Sequence, residues 1–245
     1  GAITSSHLGY HLAFAGQNLV SLENRSSAST TGYIFRLSAD GGRTFAPEDA
    51  VTFPYPPGDT NSLYVAPSGL AAWGNEVFII SFAGPGLTEI WSADLSGSIP
   101  AMANLLGTFA GDTEEFQFCD GLAADARYLY TTCRHGPPNS PNAIVAFDRT
   151  TGAVKMVADV GDYADLLYDK ITAADLDGDG IADVLYKKTE DPNAKFVCAP
   201  HGTSFVDELL RWEAGTGGSI GLAWDPSVGA LWFYDDKRAE LIKVQ

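Results

Sequence analysis

The sequence predicts an all-β fold, a five-bladed β-propeller built from four-stranded antiparallel blades. Two observations carry this prediction. A strand–turn–strand pattern recurs five times along the chain, and glycine supplies 26 of the 245 residues, as a chain with many tight turns requires. A repeat period of roughly 50 residues is typical of propellers and other repeat arrays. A six-bladed propeller or a β-sandwich is the alternative interpretation.

Each copy of the first pattern consists of an apolar strand, a polar or glycine-containing turn and a second apolar strand. The five copies begin at His11, Gly69, Gly121, Ala173 and Gly221. A second pattern, a third strand, a turn and a fourth strand, lies between them. Its copies begin at Tyr33, Glu89, Ala143 and Lys195. Because Asp40, Asp94 and Asp148 follow one another at intervals of 54 residues, these copies share one phase.

These repeats predict a single propeller domain over residues 1–245. The blades are expected at about 7–55, 62–110, 115–160, 163–214 and 217–245. The last blade shows only three strands, so residues 1–6 are expected to supply its fourth. Such pairing would leave no open sheet edge between the first and last blades.

One turn of the fourth repeat has the composition of a calcium loop. In the segment DLDGDGIAD, the aspartates Asp175, Asp177, Asp179 and Asp183 occupy relative positions 1, 3, 5 and 9, and the carbonyl of Ile181 stands at position 7. Calcium takes six to eight oxygen ligands, which carboxylates spaced by two in a tight turn can supply. The glutamate of an EF-hand at position 12 is missing, so an EF-hand is excluded. The alternative is an Asp-rich turn without metal.

Two motifs resemble turns of known propeller families. DLDGDGIAD resembles the metal-binding turn of FG-GAP and VCBS-type propeller repeats, which implies a structural Ca²⁺ between the first two strands of a blade. SADGGRTF, from Ser38 to Phe45, resembles the Asp-box of sialidase-type propellers. That resemblance implies a structural turn between the third and fourth strands of a blade, and it implies no sialidase activity.

Charge excludes several classes of partner. The net charge is −16 with only 15 basic residues. Nucleic-acid binding needs a basic face, so it is not expected, and neither is an anionic membrane surface. The sequence contains no apolar run of eighteen residues and thus predicts no membrane span. We expect a monomer.

The three cysteines indicate an oxidising environment. Cys119 and Cys133 flank a predicted hairpin and are expected to lie opposite each other, where they could form a cross-strand disulfide. Cys198 is left over and is expected to be buried. A disulfide together with a calcium loop favours a secreted, extracellular or periplasmic protein.

A ligand site is expected on the channel face, where each inner strand begins and where the second and third strands of a blade connect. The candidate ligand-binding residues there are His7, Tyr10, His11, Tyr64, Arg134, His135, Tyr168 and Lys170. The candidate catalytic residues are Asp120, Asp165 and Asp169. Glycoside hydrolysis needs two carboxyl groups, about 5–5.5 Å apart for retention or 6.5–9.5 Å for inversion. These acids could equally be solvated loop residues, and the histidines ordinary channel residues rather than metal ligands.

Three functions remain open at this point. The first is recognition of a ligand, carbohydrate before an extracellular protein, at the channel face. The second is glycoside hydrolysis by the channel carboxylates, and the third is a structural adhesion module. For the first, an exposed aromatic platform would be needed; Trp73 lies near a turn, whereas Trp224 and Trp232 lie in predicted strands and are expected in the core.

Overall fold

A computed structural model gives the structure of the protein. The described residues are 11–27, 30–40, 44–47, 49–54, 66–84, 87–110, 117–134, 142–161, 171–174, 183–190, 193–199, 207–212, 222–225, 230–235 and 240–244. Their regular elements are all β-strands. Over these ranges we find no helix with the length and apolar character to cross a membrane. The chain divides into two compact units, Gly1–Phe109 and Ala110–Gln245.

The described residues of unit 1 form two antiparallel sheets and one short parallel pair. Its strands are β1 (His11–Ala15), β2 (Asn18–Ser27), β3 (Thr30–Ser38), β4 (Val51–Thr52), β5 (Ala66–Trp73), β6 (Glu76–Gly84), β7 (Leu87–Asp94), β8 (Ala101–Met102) and β9 (Asn104–Ala110). The first sheet has the order β1-β2-β3 and the second the order β5-β6-β7-β9. β4 pairs with β8 in parallel. The first strands of the two sheets, β1 and β5, contact each other.

Among the described residues, the first sheet shows three strands where four were predicted. Residues 44–47 and 49–50 follow β3 through single hydrogen bonds, from Ala46 N–H to Leu37 O at 2.8 Å and from Ala50 N–H to Phe35 O at 2.7 Å. The carboxylate of Asp49 accepts the N–H of Phe35 at 2.9 Å, a role that a strand carbonyl would otherwise take. Pro47 has no N–H to donate. The segment therefore covers the edge of β3 without forming a regular ladder.

The core of unit 1 lies between its two sheets. Val20 and Leu22 of β2, Phe35 of β3, and Val77 and Ile79 of β6 are buried in one cluster. Other members of the same cluster include Ala15, Leu70, Trp91 and Ala93. The ring of Phe53 packs edge-on against Trp91, with 5.3 Å between centroids. The cluster residues of β2 and of β6 stand two positions apart, at Val20 and Leu22 and at Val77 and Ile79, so the period-2 pattern of the sequence places them on one face of each strand.

Unit 2 contains three antiparallel sheets. Its strands are β10 (Gln117–Ala124), β11 (Tyr128–Arg134), β12 (Asn142–Asp148), β13 (Val154–Gly161), β14 (Ile171–Ala174), β15 (Asp183–Glu190), β16 (Asn193–Ala199), β17 (Asp207–Trp212), β18 (Leu222–Asp225), β19 (Ala230–Asp235) and β20 (Glu240–Val244). They form the sheets β10-β11-β12-β13, β14-β15-β16-β17 and β18-β19-β20, each in chain order. β10 contacts β14, and β14 contacts β18. As in unit 1, the first strands of neighbouring sheets therefore meet.

The strands of the five sheets overlap the five predicted blade ranges in chain order, and β13 ends at Gly161, one residue beyond the third range. The blade boundaries and the single domain stay predictions. The last sheet has three strands among the described residues, as the sequence predicts. Residues 1–6, expected to supply its fourth strand, lie outside the described residues.

Candidate functional site

Asp120, the candidate catalytic residue that falls within the described residues, lies on the inner strand β10 beside a β-bulge. It is paired with Thr132 of β11, and the register then shifts before Ala123 pairs with Tyr130. Gly121, inside the bulge, has φ of 69°, a left-handed conformation that glycine adopts without a steric penalty. The hydroxyl of Thr131 donates to the Gly121 carbonyl at 2.8 Å. A bulge re-aims neighbouring residues and often stands beside an active site.

The strand pair that carries Asp120 is joined by a disulfide. Cys119 and Cys133 are register partners on β10 and β11 and are bonded to each other, which confirms the predicted pairing. Both cysteines are buried. The bond directly precedes Asp120, so it fixes the spacing of the two strands at the candidate site.

The inner strand of the second sheet has a related irregularity. The register of β5 and β6 shifts between Pro67 and Gly69. This shift comes just before an apolar run, as the shift in the third sheet does. The repeated GLAA segments that begin at Gly69 and Gly121 thus each come directly after, or within, a break in the ladder. In the second sheet the residue that precedes the glycine is Ser68, whereas in the third it is Asp120. The acid is therefore specific to one sheet rather than part of the repeat.

His11 is the first residue of β1 and is partly buried. By strand alternation it lies on the same face as Ala13 and Ala15, which pack against or within the core of unit 1. Burial lowers the pKa of its imidazole from 6.5 to about 4. The ring is therefore neutral at physiological pH and can both donate and accept a hydrogen bond.

Of the other predicted site residues, the structure describes Arg134. Arg134 is the last residue of β11, and its register partner is Gln117, the first residue of β10. The remaining candidates lie outside the described residues; they are His7, Tyr10, Tyr64, His135, Asp165, Tyr168, Asp169 and Lys170. The proposed convergence of Asp120 with Asp165 or Asp169 therefore stays a prediction.

The predicted calcium loop is described only at its end. Asp175, Asp177, Asp179 and Ile181 lie outside the described residues. Asp183 is the first residue of β15, faces Ala174 of β14 in the register and is 4% exposed. The described ranges alone contain no group of three or more His, Cys, Asp or Glu side chains placed to hold a metal ion. The calcium site stays a prediction.

A buried tyrosine that the sequence did not single out, Tyr130, interacts electrostatically with Asp183. The Tyr130 hydroxyl donates to Asp125 Oδ2 at 2.8 Å. Burial, and then the negative charge of Asp125, raise the pKa of Tyr130, and Asp183 contributes in the same direction. Asp125 Oδ1 accepts the backbone N–H groups of Arg127 and Tyr128. The turn of the third sheet is thus linked electrostatically to the last acid of the predicted calcium loop.

The two turns of the third sheet are held together by an ion pair. Arg127 contacts Asp148 Oδ2 through two nitrogen atoms, each at 3.0 Å. Asp148 Oδ1 accepts the N–H groups of Thr150 and Thr151 at 2.9 and 3.0 Å. These backbone bonds and Arg127 hold the pKa of Asp148 below its ordinary value. Asp148, predicted only from its regular spacing, is therefore a turn-forming residue and not a candidate catalytic acid.

The segment that resembles an Asp-box forms a turn with its own hydrogen bonds. Asp40 Oδ1 accepts the Ser38 hydroxyl at 2.8 Å and the Thr44 N–H at 2.9 Å. Asp40 Oδ2 accepts the Thr44 hydroxyl at 2.7 Å. Ser38, Asp40 and Thr44 are thus hydrogen-bonded to one another, whereas Arg43 lies outside the described residues.

The exposure of Trp73 agrees with the sequence prediction, whereas the burial of Trp232 lies outside what the structure describes. Trp73, at the turn end of β5, is 49% exposed. Trp91 is buried and donates its indole N–H to Glu89 at 3.0 Å. Trp224 of β18 is partly buried. Trp73 is therefore the tryptophan of this group that is open to a ligand.

Sequence comparison identifies no relative. No protein-family model matches the chain, and no curated protein matches it. Solved structures do align with it over almost its whole length.

Three of these structures are glycoside hydrolases. A GH43 β-1,3-galactosidase with galactodeoxynojirimycin has a TM-score of 0.58 at 10% identity, over 98% of this chain and 91% of that chain. An α-L-arabinofuranosidase from Clostridium thermocellum has a TM-score of 0.55 at 11% identity, over 97% and 85%. An exo-β-1,3-galactanase from Phanerochaete chrysosporium with β-1,3-galactotriose has a TM-score of 0.56 at 13% identity, over 100% and 66%. These enzymes are five-bladed β-propellers. The five sheets of this chain are likewise the blades of a five-bladed β-propeller, as predicted.

Proposed function

We propose that this propeller binds a carbohydrate at its channel face, with Asp120 in the site. The observation that carries the proposal is the fold. The similar structures are named as enzymes that act on galactosides, arabinosides or galactans, and two of them hold a sugar or a sugar analogue. The site residues come from the sequence prediction, and the bulge at Gly121 supports the placement of Asp120 among them.

Glycoside hydrolysis is the second candidate function, and the position of Asp120 favours it. This acid lies on the inner strand β10, between the disulfide at Cys119 and the bulge at Gly121. The second sheet has Ser68 at the corresponding position. A residue held in this way has the fixed backbone that general acid–base or nucleophilic catalysis requires. Asp165 or Asp169 would supply the second carboxyl group.

A panel of neutral oligosaccharides tests both candidates. The panel contains short β-1,3-galactans and arabinans, incubated with the protein in the presence of calcium. Binding is measured by calorimetry and cleavage by new reducing ends. Hydrolysis would be confirmed by new ends that disappear in Asp120→Asn but persist in Asp94→Asn, an exposed acid at the turn between β7 and β8.

The outcomes separate the candidate functions. Binding without cleavage would support a lectin-like propeller. Neither binding nor cleavage of any glycan would contradict the carbohydrate proposal and favour an adhesion module that binds an extracellular protein.

We further propose that the loop from Asp175 to Asp183 holds a structural Ca²⁺. The spacing of its acids and the burial of Asp183 support this ion. An ion bound only to the folded state stabilises that state by mass action, so a chelator should lower the melting temperature and added Ca²⁺ should restore it. Asp177→Asn should weaken the effect of Ca²⁺, and a melting temperature indifferent to chelator would contradict the site.

We propose that the protein works outside the cytoplasm, in the extracellular space or the periplasm. The Cys119–Cys133 disulfide supports this location because such bonds persist in oxidising compartments. Fractionation of the source cells, with alkylation of free thiols before lysis, is the test. A protein found in the cytoplasm with both thiols free would contradict it.

A further inference from the structure

The outermost strand of the second sheet lacks the residues that usually protect a sheet edge. β9 (Asn104–Ala110) stands last in the order β5-β6-β7-β9, so one of its edges has no strand partner among the residues that the structure describes. The N–H and C=O groups of such an edge can pair with a strand of another molecule, and proteins prevent this with charged side chains or proline. β9 contains neither a charged residue nor a proline.

The last strands of the other four sheets all carry charges. These strands are β3, β13, β17 and β20. Their charged residues are Arg36 of β3, Lys155 and Asp159 of β13, Asp207, Glu208 and Arg211 of β17, and Glu240 and Lys243 of β20. Among the five outer strands that the structure describes, β9 is therefore the uncharged one.

The surface of β9 is accessible and partly apolar. From Ser96 to Gly111 the sequence contains no charged residue. Leu105 on β9 is 48% exposed, and Met102, three positions earlier, is 55% exposed. Thr108 of β9 is exposed as well. Because side chains alternate along a strand, Leu105 and Thr108 lie on opposite faces of β9, so the strand is accessible from both faces.

Charge and symmetry favour a second copy of this chain as the partner of β9. The net charge of −16 makes two copies repel each other wherever their acidic surfaces meet, so an uncharged strand is the place where contact costs least. Two identical antiparallel strands are related by a two-fold axis, and the same edge then supplies both halves of the interface. The edge of β9 is therefore complementary to itself.

We propose that β9 is a dimerisation edge, at which two copies of the chain pair antiparallel and join their second sheets into one continuous sheet. Leu105 then lies at the interface. The sequence predicts a monomer, and the proposal departs from that prediction because strand order, which the sequence pattern does not provide, makes β9 an outer edge. The dimer is independent of the proposed carbohydrate function, since none of the candidate site residues lies on β9.

Sedimentation equilibrium over protein concentrations up to about 100 μM tests the proposal. The wild-type protein should dimerise, and added NaCl should strengthen the dimer because salt screens the repulsion between two acidic chains. Leu105→Glu and Thr108→Glu should each raise the dissociation constant at least about tenfold, since the two-fold axis brings the new carboxylates of both copies to one interface. Val154→Glu, at an exposed apolar position on the charged edge strand β13, adds the same charge and should leave the dissociation constant unchanged.

Hydrogen exchange locates the interface. Exchange of backbone N–H groups within Asn104–Ala110 should slow as the protein concentration rises, because strand pairing protects them. Melting temperatures confirm that each variant is folded.

Three outcomes would overturn the proposal. The first is a wild-type protein that stays monomeric at every concentration and salt level tested. The second is a dimer that salt weakens, because attraction between charged surfaces would then hold it. The third is a dimer that Leu105→Glu and Thr108→Glu leave intact, with concentration-independent exchange in β9, because its interface would then lie elsewhere.

Discussion

The hydroxyl of Tyr130 donates a 2.8 Å hydrogen bond to Asp125 across the first hairpin of the third sheet. Tyr130 is buried, and its pKa is raised by burial and by the charge of Asp125, so the phenol stays a donor throughout the physiological range. Asp125 in turn orders the hairpin turn by accepting the N–H groups of Arg127 and Tyr128. The carboxylate of Asp125 thus couples the turn to β11, and β11 contacts β14 of the next sheet.

Tyr130→Phe should destabilise the fold by about 1–3 kcal/mol, because it leaves a partly buried carboxylate without its phenolic donor. The measurement is urea unfolding. Tyr128→Phe is the matched control, since it keeps the ring that contacts Arg127 and Lys155. If the Tyr130 and Tyr128 variants unfold at the same urea concentration, the hydrogen bond does not contribute to stability.

The same pair predicts an effect on the proposed calcium loop. Asp183 lies close enough to Tyr130 to affect its pKa, and β11 contacts β14, the strand that leads into the loop. Tyr130→Phe should therefore also weaken the stabilisation that Ca²⁺ gives, measured as the shift in melting temperature with added Ca²⁺. An unchanged shift would restrict the role of Tyr130 to its own sheet.

The sequence predicted the five sheets but not this relationship. The blades were predictable because each repeat has the same period-2 apolar strands, which depend on local composition. Tyr130 stands in an apolar strand and looks like an ordinary core residue, and its hydrogen bond depends on how the turn folds around Asp125. The ion pair of Arg127 with Asp148 likewise joins residues 21 positions apart. Contacts of this kind are set by tertiary packing, which no repeat pattern encodes.

Among the described residues the first sheet has no regular fourth strand, and the sequence contains a local reason for this. Pro47 lacks the N–H that a ladder needs, and Asp49 supplies a side-chain acceptor for Phe35 in place of a backbone carbonyl. The apolar pattern alone predicted a strand there. The bulge at Gly121 was also not predicted, although the glycine between Asp120 and an apolar run is its signal.

The disulfide should stabilise the protein by about 3 kcal/mol. The two cysteines are 14 residues apart, and closing a loop of this length restricts the unfolded chain by about that amount. Reductant should lower the melting temperature of the wild-type protein but not that of Cys119→Ala/Cys133→Ala. Cys198→Ala, which leaves the disulfide intact, should respond to reductant as the wild type does. Equal sensitivity of the double variant would show that reductant acts elsewhere.

Gly16→Ala should destabilise unit 1 more than Gly74→Ala does. Both glycines have φ near 60°, so an alanine at either position bears the same left-handed penalty of about 1–2 kcal/mol. A Cβ at Gly16 would also overlap the amide oxygen of Asn75, whereas a Cβ at Gly74 meets nothing within 4 Å. The difference between the two variants in denaturant unfolding isolates the contact between the turns. Asn75→Ala should remove that difference, and a difference that persists would place its cause elsewhere.

His11 should make the fold less stable in mild acid. Its folded pKa of about 4 lies below the unfolded value of 6.5, so between these values the unfolded chain takes up a proton that the folded protein does not. The contribution of His11 is therefore fully present above pH 6.5 and falls as the pH decreases towards 4, by about 1–3 kcal/mol for a partly buried ring. The free energy of unfolding of the wild type and of His11→Gln, compared between pH 7 and pH 4.5, measures it. Carboxylates titrate in the same range, but they are common to both proteins and cancel in the difference. The wild type should lose more stability than His11→Gln on acidification, and a difference between the two proteins that does not change with pH would show that His11 titrates as an ordinary surface histidine.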